Sequence, residues 1–398
     1  MQEKTLPIVE EAIVPGQQVV VPAKPAVSGI NSNLSAPEIR SDLVQKAQSS
    51  LLTSTEVSAD VVQQLEASVA GKNSLQTANG KFSVLQAESA DLAGDIRING
   101  TKGNDFLVGT NSDDQIFAFD GDDIVLGRAG NDQIFGGNGR DLIIASLGDD
   151  VVEGEAGNDQ IFGGSGNDIL NGGDGIDRIL GDIGNDDING GGDGDVLFGG
   201  VGDDRIFGGS GNDSIFGEDG NENLNGDDGD DSVDGGKGDD IVFGGFNNDT
   251  VNGGDGNDTV IGGSGNDKVN GGNGNDTVIG VDPFIPEFGY GLNEIDTLSG
   301  GGGADTFVLG NTESVFYGNG GPGSNDFATI VDFVLGQDVI QLKTLDNGEN
   351  YVLAGISVPT SNKTFTDIFV NRPNEGVEYI ARVDNIQLSD TSVGFVFV

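Results

Sequence analysis

The amino-acid sequence predicts an all-β chain folded as a parallel β-roll, a two-sheet β-solenoid, with a C-terminal β cap and a short helical N-terminal segment. Three observations carry this expectation. Gly accounts for 70 of the 398 residues, about two and a half times its usual share. A nine-residue unit recurs twenty times between residues 100 and 279 with nothing inserted or lost. The eighth position of every unit is Leu, Ile or Val, from Leu107 to Val278. A fixed short period marks a stacked architecture, because one such unit cannot bury a face alone.

The elements follow in chain order. Residues 1–36 hold four of the ten prolines (Pro7, Pro15, Pro22, Pro25) and no sustained period, which reads as a flexible arm. Residues 37–99 read as a short helical leader and connector. Within it, Ile39, Leu43, Val44, Ala47 and Leu51 share one helical stripe over 37–52. Val57, Val61, Val62, Leu65 and Val69 share another over 57–70, which stops at Gly71. The repeats occupy 100–279. Residues 280–305 read as a loop insertion followed by two degenerate units centred on Asp296 and Asp305. Residues 306–398 carry short strand patterns, among them 328–333, 338–342, 366–370 and 377–383, and would cap the stack. A repeat stack needs caps because its last coil exposes core and unpaired edges.

Within the repeat, position 1 is Gly in 18 of 20 units and position 4 in 17; position 6 is Asp in 19 and Glu222 in the other. In Gly163-Gly164-Ser165-Gly166-Asn167-Asp168-Ile169-Leu170-Asn171 the glycines permit a tight turn with φ > 0. The three residues after the acid suffice for a very short strand with its central side chain inward. Two units make an 18-residue coil, and stacked coils bury two aliphatic ladders between two sheets.

The position-6 acids then stack along both edges. One edge carries Asp105, Asp123, Asp141, Asp159, Asp177, Asp195, Asp213, Asp231, Asp249 and Asp267. The other carries Asp114, Asp132, Asp150, Asp168, Asp186, Asp204, Glu222, Asp240, Asp258 and Asp276. Carboxylates at strand spacing, about 4.8 Å, repel unless a cation lies between them. Calcium accepts six to eight oxygens, carbonyls included, and Gly-rich turns supply carbonyls. With neither His nor Cys in the chain, zinc and copper are disfavoured, and magnesium fits a flexible carbonyl cage less well. Ten coils leave nine gaps per edge, so about eighteen calcium ions is the ceiling from one ion per gap.

The pattern Gly-Gly-x-Gly-x-Asp-x-aliphatic-x resembles the RTX (repeats-in-toxin, hemolysin-type) calcium-binding family across residues 100–279. The resemblance extends more weakly through residues 301–307 around Asp305 and through Asp332-Phe333-Val334-Leu335-Gly336-Gln337-Asp338-Val339-Ile340. It implies a parallel β-roll, calcium between coils, and export by a type I system through an uncleaved C-terminal signal. Asp390 followed by the apolar run 393–398 is similar to such a signal, and a plain terminal strand explains it too. The N-terminus shows no basic and apolar leader, so export without a cleavable signal is expected. Departures from the pattern at Ala118-Phe119, Ala145-Ser146, Asp193, Asn247 and Glu222 put the neighbouring sites in doubt.

Composition narrows the function. With 18 Lys plus Arg against 66 Asp plus Glu, the chain carries −48 and would repel nucleic acid and anionic membranes. No apolar run approaches a membrane span. The absence of His and Cys removes Ser-His-Asp, Cys-His and zinc-protease chemistry. The expected protein is therefore not an enzyme. It is a secreted or cell-surface calcium-binding structural or adhesive protein whose roll folds on meeting calcium outside the cell. One aliphatic side chain buried per unit stabilises by roughly 1.5–3 kcal/mol. Ordering nine residues costs roughly 1–2 kcal/mol each, so ion binding must contribute to folding. The alternative is a calcium-dependent polysaccharide-binding or accessory module of an extracellular enzyme. Ice-binding rolls of this family present Thr ladders in the turn, and no unit here has Thr at position 3, so ice binding is not expected.

Positions 7 and 9 flank the inward residue and should point outward, yet one sheet is apolar there. It carries Phe106 and Val108, Ile124 and Leu126, Leu142 and Ile144, then Phe162, Leu180, Phe198 and Phe216 at position 9. The expectation is that the helices at 37–52 and 57–70 dock on its first coils. Phe162, Leu180, Phe198 and Phe216 would stay available for self-association or a partner.

Overall fold

Each unit becomes one strand. In the computed structural model, which describes residues 74–77, 80–86, 96–281, 294–310, 327–343, 350–358, 363–372, 376–386 and 394–398, strands β4 to β23 follow one per repeat, the first Asp105–Val108 and the last Thr277–Val281. Even-numbered strands form one sheet and odd-numbered strands the other. Every pairing in this run is parallel and joins residues 18 apart. Leu170 of β11 (Ile169–Asp174) pairs with Val152 of β9 (Val151–Ala156) and Ile188 of β13 (Asp187–Gly192). The all-β, two-sheet β-roll is thus the architecture of the chain, and no helix occurs among the described residues.

Most of these strands are six residues long, twice the expected length. The glycines at positions 1–3 do not end the strand. Pairing skips position 1, at Gly172 in β11, and resumes with Gly173 opposite Gly191. The chain bends there and stays in the sheet. Because alternation continues through the bend, position 8 and the position-1 glycine both face the interior. Each of the twenty position-8 side chains is at most 2% exposed, and together they form one continuous core.

The roll begins earlier than Gly100. Strand β2 (Gly80–Gln86) pairs parallel with β4, placing Leu85 beside Leu107. Strand β3 (Arg97–Asn99) places Ile98 beside Ile116 in the opposite sheet. Leu85 and Ile98 join the same core. A further strand, β1 (Ser74–Thr77), pairs antiparallel with β2. These residues were expected in a helical leader and connector. What places them is strand pairing: Leu85 and Ile98 take the inward position beside Leu107 and Ile116 without the repeat's glycines. The helices expected over 37–52 and 57–70 lie outside the described residues.

At the other end the insertion displaces the chain without breaking the stack. Strands β24 (Ile295–Gly302) and β25 (Thr306–Val308) pair with the last regular strand of each sheet. Strands β26 (Phe327–Ile330) and β27 (Val339–Leu342) add another coil. The cap then closes both sheets. Strands β28 (Asn350–Val358), β29 (Lys363–Arg372) and β30 (Gly376–Asp384) form an antiparallel meander, and β30 joins β26 in parallel. Strand β31 (Phe395–Phe397) pairs with β27.

The outward faces of the two sheets differ. On the odd-numbered sheet, Ile169 and Ile241 at position 7 are 52% and 51% exposed. On the even-numbered sheet, Phe106, Val108, Ile124, Leu126, Leu142, Ile144, Phe162 and Leu180 are all buried. Phe198 and Phe216 beyond them are half-buried, their rings stacked at 5.0 Å, with the Arg178 guanidinium 5.0 Å from the Phe198 ring. This corrects the expectation of a free stripe from Phe162 to Phe216: Phe162 and Leu180 offer no surface for self-association.

Candidate metal centres

The turn between strands is where the repeat places its charge. In the unit from Gly163 to Asn171, Gly164 and Gly166 adopt φ of +112° and +139°, which a side chain would strain. The turn folds the Asp168 carboxylate back under its own glycines. Its Oδ1 accepts the backbone N–H of Asp150, one coil earlier, at 2.8 Å. The Asp168 N–H in turn donates to Asp186 Oδ1 at 2.8 Å.

This link repeats along both edges. On one it runs from Asp105 through Asp267 to Asp296, and on the other from Asp114 through Asp276 to Asp305. All twenty repeat acids, with Asp296 and Asp305, are at most 4% exposed. Glu222 keeps its place despite the extra methylene: its Oε2 accepts the Asp204 N–H at 2.7 Å. The eleven extra residues of the insertion, a separation of 29 rather than 18 between Asp267 and Asp296, leave the ladder in register. Four of the residues standing in for glycine still hold positive φ. Phe119, Ser146, Asp193 and Asn247 all hold φ between +68° and +94°. An exposed ladder at position 5 ties the turns from outside, as where the Asn167 N–H donates to Asp149 Oδ1.

The second carboxylate oxygen behaves differently. From Asp123 to Asp276, each of the eighteen repeat acids has one buried oxygen with no hydrogen-bond partner: Oδ2 in every Asp, Oε1 in Glu222. Such orphans are uncommon and costly, and here they recur at every turn. In sixteen of these units position 1 is glycine and its missing Cβ leaves space beside that acid; Ala118 and Ala145 stand there in the units of Asp123 and Asp150. A Cβ on Gly163 would run into Asp168 Oδ2, with the Gly181 carbonyl oxygen 3.0 Å away. A Cβ on Gly164 or Gly166 would strike the carbonyl oxygens of Ser146 or Gly148. The pocket under the turn is therefore lined with oxygens: one carboxylate, and carbonyls from the coils on both sides. Among the described residues no three acidic side chains converge, so a cation here would be held mainly by carbonyls. Such an all-oxygen, carbonyl-rich set suits calcium.

Electrostatics point the same way. Burial, reinforced by the like charges of neighbouring coils, pushes Asp132, Asp159 and Asp195 up to about 8 and Asp267 up to about 9. Burial raises Asp123, Asp168 and Asp249 to about 7, opposed by the hydrogen bond each accepts from the preceding coil. Without a cation, these groups would take up protons near neutral pH.

The first acids of the ladders are partly closed by the chain itself. Asp105 Oδ2 accepts the Thr101 N–H at 2.5 Å, while its Oδ1 is buried without a partner. Asp114 accepts the Thr110 N–H at 2.6 Å, the Thr110 hydroxyl and the Ile96 N–H. The Arg128 guanidinium reaches the Gly109 carbonyl at 3.2 Å. Asp114 therefore has no oxygen left over, unlike the acids that follow it. At the far end Asp338, not singled out as a ligand from the sequence, accepts the Asp305 N–H and, through Oδ2, the Val334 N–H. Its signal was present in Gly336-Gln337-Asp338-Val339-Ile340, which keeps positions 4, 6 and 8 of the repeat. Asp332, three residues before Leu335, receives the N–H groups of Gly300 and Gly301 and the Ser299 hydroxyl.

The match to a family profile agrees with this geometry. The family profile described as RTX calcium-binding nonapeptide repeat (4 copies) matches residues 99–134, 135–170, 162–197, 190–221, 198–233, 216–251, 243–278 and 288–315. Among solved structures, the chain is similar to the solution structure of the AlgE6R3 subunit from the Azotobacter vinelandii mannuronan C5-epimerase. The two are 26% identical over 37% of this chain and 70% of that one, with a TM-score of 0.18. The comparison with curated proteins gives no match.

Proposed function

The chain belongs to the family of RTX calcium-binding nonapeptide repeats, and from that premise we propose that it is a secreted or cell-surface structural protein whose roll is assembled by calcium outside the cell. One observation carries this reading: eighteen buried carboxylates, each with an oxygen lacking any protein partner and facing backbone carbonyls of adjacent coils. The ligands are then the position-6 acids from Asp123 to Asp276, one ion per unpaired oxygen, about eighteen in all. Ion binding that exists only in the folded state is folding free energy. A chain of charge −48 stays unfolded where calcium is scarce and becomes a rigid rod where it is abundant. Among the described residues no helix is long and apolar enough to cross a membrane. The role is mechanical rather than enzymatic: a spacer or adhesive module.

Circular dichroism with calcium and with chelator tests this, followed by a calorimetric titration. The expected result is a calcium-dependent β signal and a stoichiometry near eighteen. A β signal that survives chelator above about pH 9, where the buried carboxylates have lost their protons, would overturn it.

A calcium-dependent polysaccharide-binding module is the second reading. It is favoured by an open trough of about 740 Å³ on the outward face of the even-numbered sheet. Gly236, Gly254, Gly272 and Gly301 floor it, between Asp234, Asn252 and Asn270 on one side and Lys237, Asp255 and Asn273 on the other. Retention of the full chain on polysaccharide resins only with calcium would favour this reading.

A further inference from the structure

The eight buried side chains on the outward face of the even-numbered sheet need a cover. Strand alternation turns Phe106, Ile124 and Leu142 at position 7, and Val108, Leu126, Ile144, Phe162 and Leu180 at position 9, away from the interior. None of them belongs to the interior core. All are nonetheless at most 5% exposed, while Ile169 and Ile241, at position 7 on the other sheet as Phe106, Ile124 and Leu142 are on this one, are half exposed. The protection covers β4, β6 (Ile124–Ala129), β8 (Leu142–Leu147), β10 (Gln160–Ser165) and β12 (Arg178–Ile183), and relaxes at Phe198.

We propose that residues 37–70 of this same chain lie along that face as an intramolecular cover. Three arguments select this segment. Its two stripes, Ile39 to Leu51 and Val57 to Val69, supply the apolar surface required. Their length fits: five strands span about 19 Å, and helices of sixteen and fourteen residues span about 24 and 21 Å. Connectivity fits as well, because the chain enters this sheet at its N-terminal edge through β1 and β2, beside β4. The loops after β23 and β25 attach some ten coils away, about 48 Å from β4 at strand spacing. Anchored at both ends, these stretches of twelve and sixteen residues reach about 20 and 28 Å. The cover would seal the first coils against solvent and against other chains, as the cap of a repeat stack must. It does not depend on which cation fills the turns.

The test uses the full chain with calcium, which contains no Cys of its own. A thiol introduced as Leu126→Cys should react with a soluble maleimide about a hundredfold or more slower than one introduced as Ile169→Cys, since it reacts only through local opening. Adding Leu43→Asp with Leu51→Asp, or Val61→Asp with Leu65→Asp, should raise the Leu126→Cys rate towards that of Ile169→Cys while the calcium-dependent β signal persists. Hydrogen exchange of the unsubstituted chain supplies an independent reading: amides of 37–70 should be protected with calcium and unprotected in chelator. Equal rates for the two thiols would overturn the proposal. So would protection that survives both pairs of leader substitutions, protection that fades on dilution and so belongs to a second copy, or unprotected amides over 37–70.

Discussion

Replacing Asp168 separates the two roles of its carboxylate. Oδ1 accepts the Asp150 N–H at 2.8 Å, which the amide oxygen of Asp168→Asn can also do. Oδ2 is buried without a protein partner, and an NH2 group in its place is neutral and donates where a cation needs an acceptor. Asp168→Ala removes both functions and leaves the Asp150 N–H unsatisfied, at about 1–3 kcal/mol. The size of the calcium shift depends on how many ions share that loss. Spread over about eighteen ions in one all-or-none step, about 2 kcal/mol moves the midpoint only about 1.2-fold. Confined to about two ions in neighbouring coils, it moves the local midpoint about fivefold. Each coil contacts only its neighbours, so the local figure is expected. Calorimetry should find about one ion fewer in both variants. Hydrogen exchange should show the shifted midpoint between Asp150 and Asp186, larger for Asp168→Ala. Unchanged stoichiometry with an unchanged local midpoint would refute the assignment of Asp168 as a ligand.

Other outcomes follow from the same geometry. In chelator the acids that burial raises, Asp168 to about 7, Asp159 to about 8 and Asp267 to about 9, bind more protons folded than unfolded. Their stabilisation of the cation-free roll is complete below about pH 4 and is lost as pH rises through about 7 to 9. The β signal in chelator should therefore fade across that window, while calcium affinity rises over it; circular dichroism at stepped pH checks both. Gly166→Ala puts a Cβ against the Gly148 carbonyl at φ +139°, so thermal unfolding in calcium should show a loss of more than about 1 kcal/mol. Gly103→Ala, at the same repeat position with nothing within 4 Å, should change stability by less than about 0.5 kcal/mol. Thr110→Val keeps the backbone bond to Asp114 and removes the hydroxyl, so it should cost about 1 kcal/mol with no change in ion number.

What the sequence determined by itself is the part of the protein whose forces are local and repeated. The nine-residue period makes one strand per unit, the inward Leu, Ile or Val of each unit makes the core, and the position-6 acids make two ladders. Each follows from conformational permission at glycine and alternation along a strand, so one unit is informative about twenty. Tertiary structure decided what depends on neighbours a unit does not contain. It placed Leu85 and Ile98 in a coil that begins before Gly100, because pairing with β4 and β5 (Gln115–Asp120), not a glycine motif, holds them. It closed Asp114 with Thr110 and Ile96, and ended a ladder on Asp338 across a 33-residue gap. It buried Phe162 and Leu180, which alternation alone directs to solvent. The sequence sets which way a side chain points, and only packing of distant segments sets what stands in front of it.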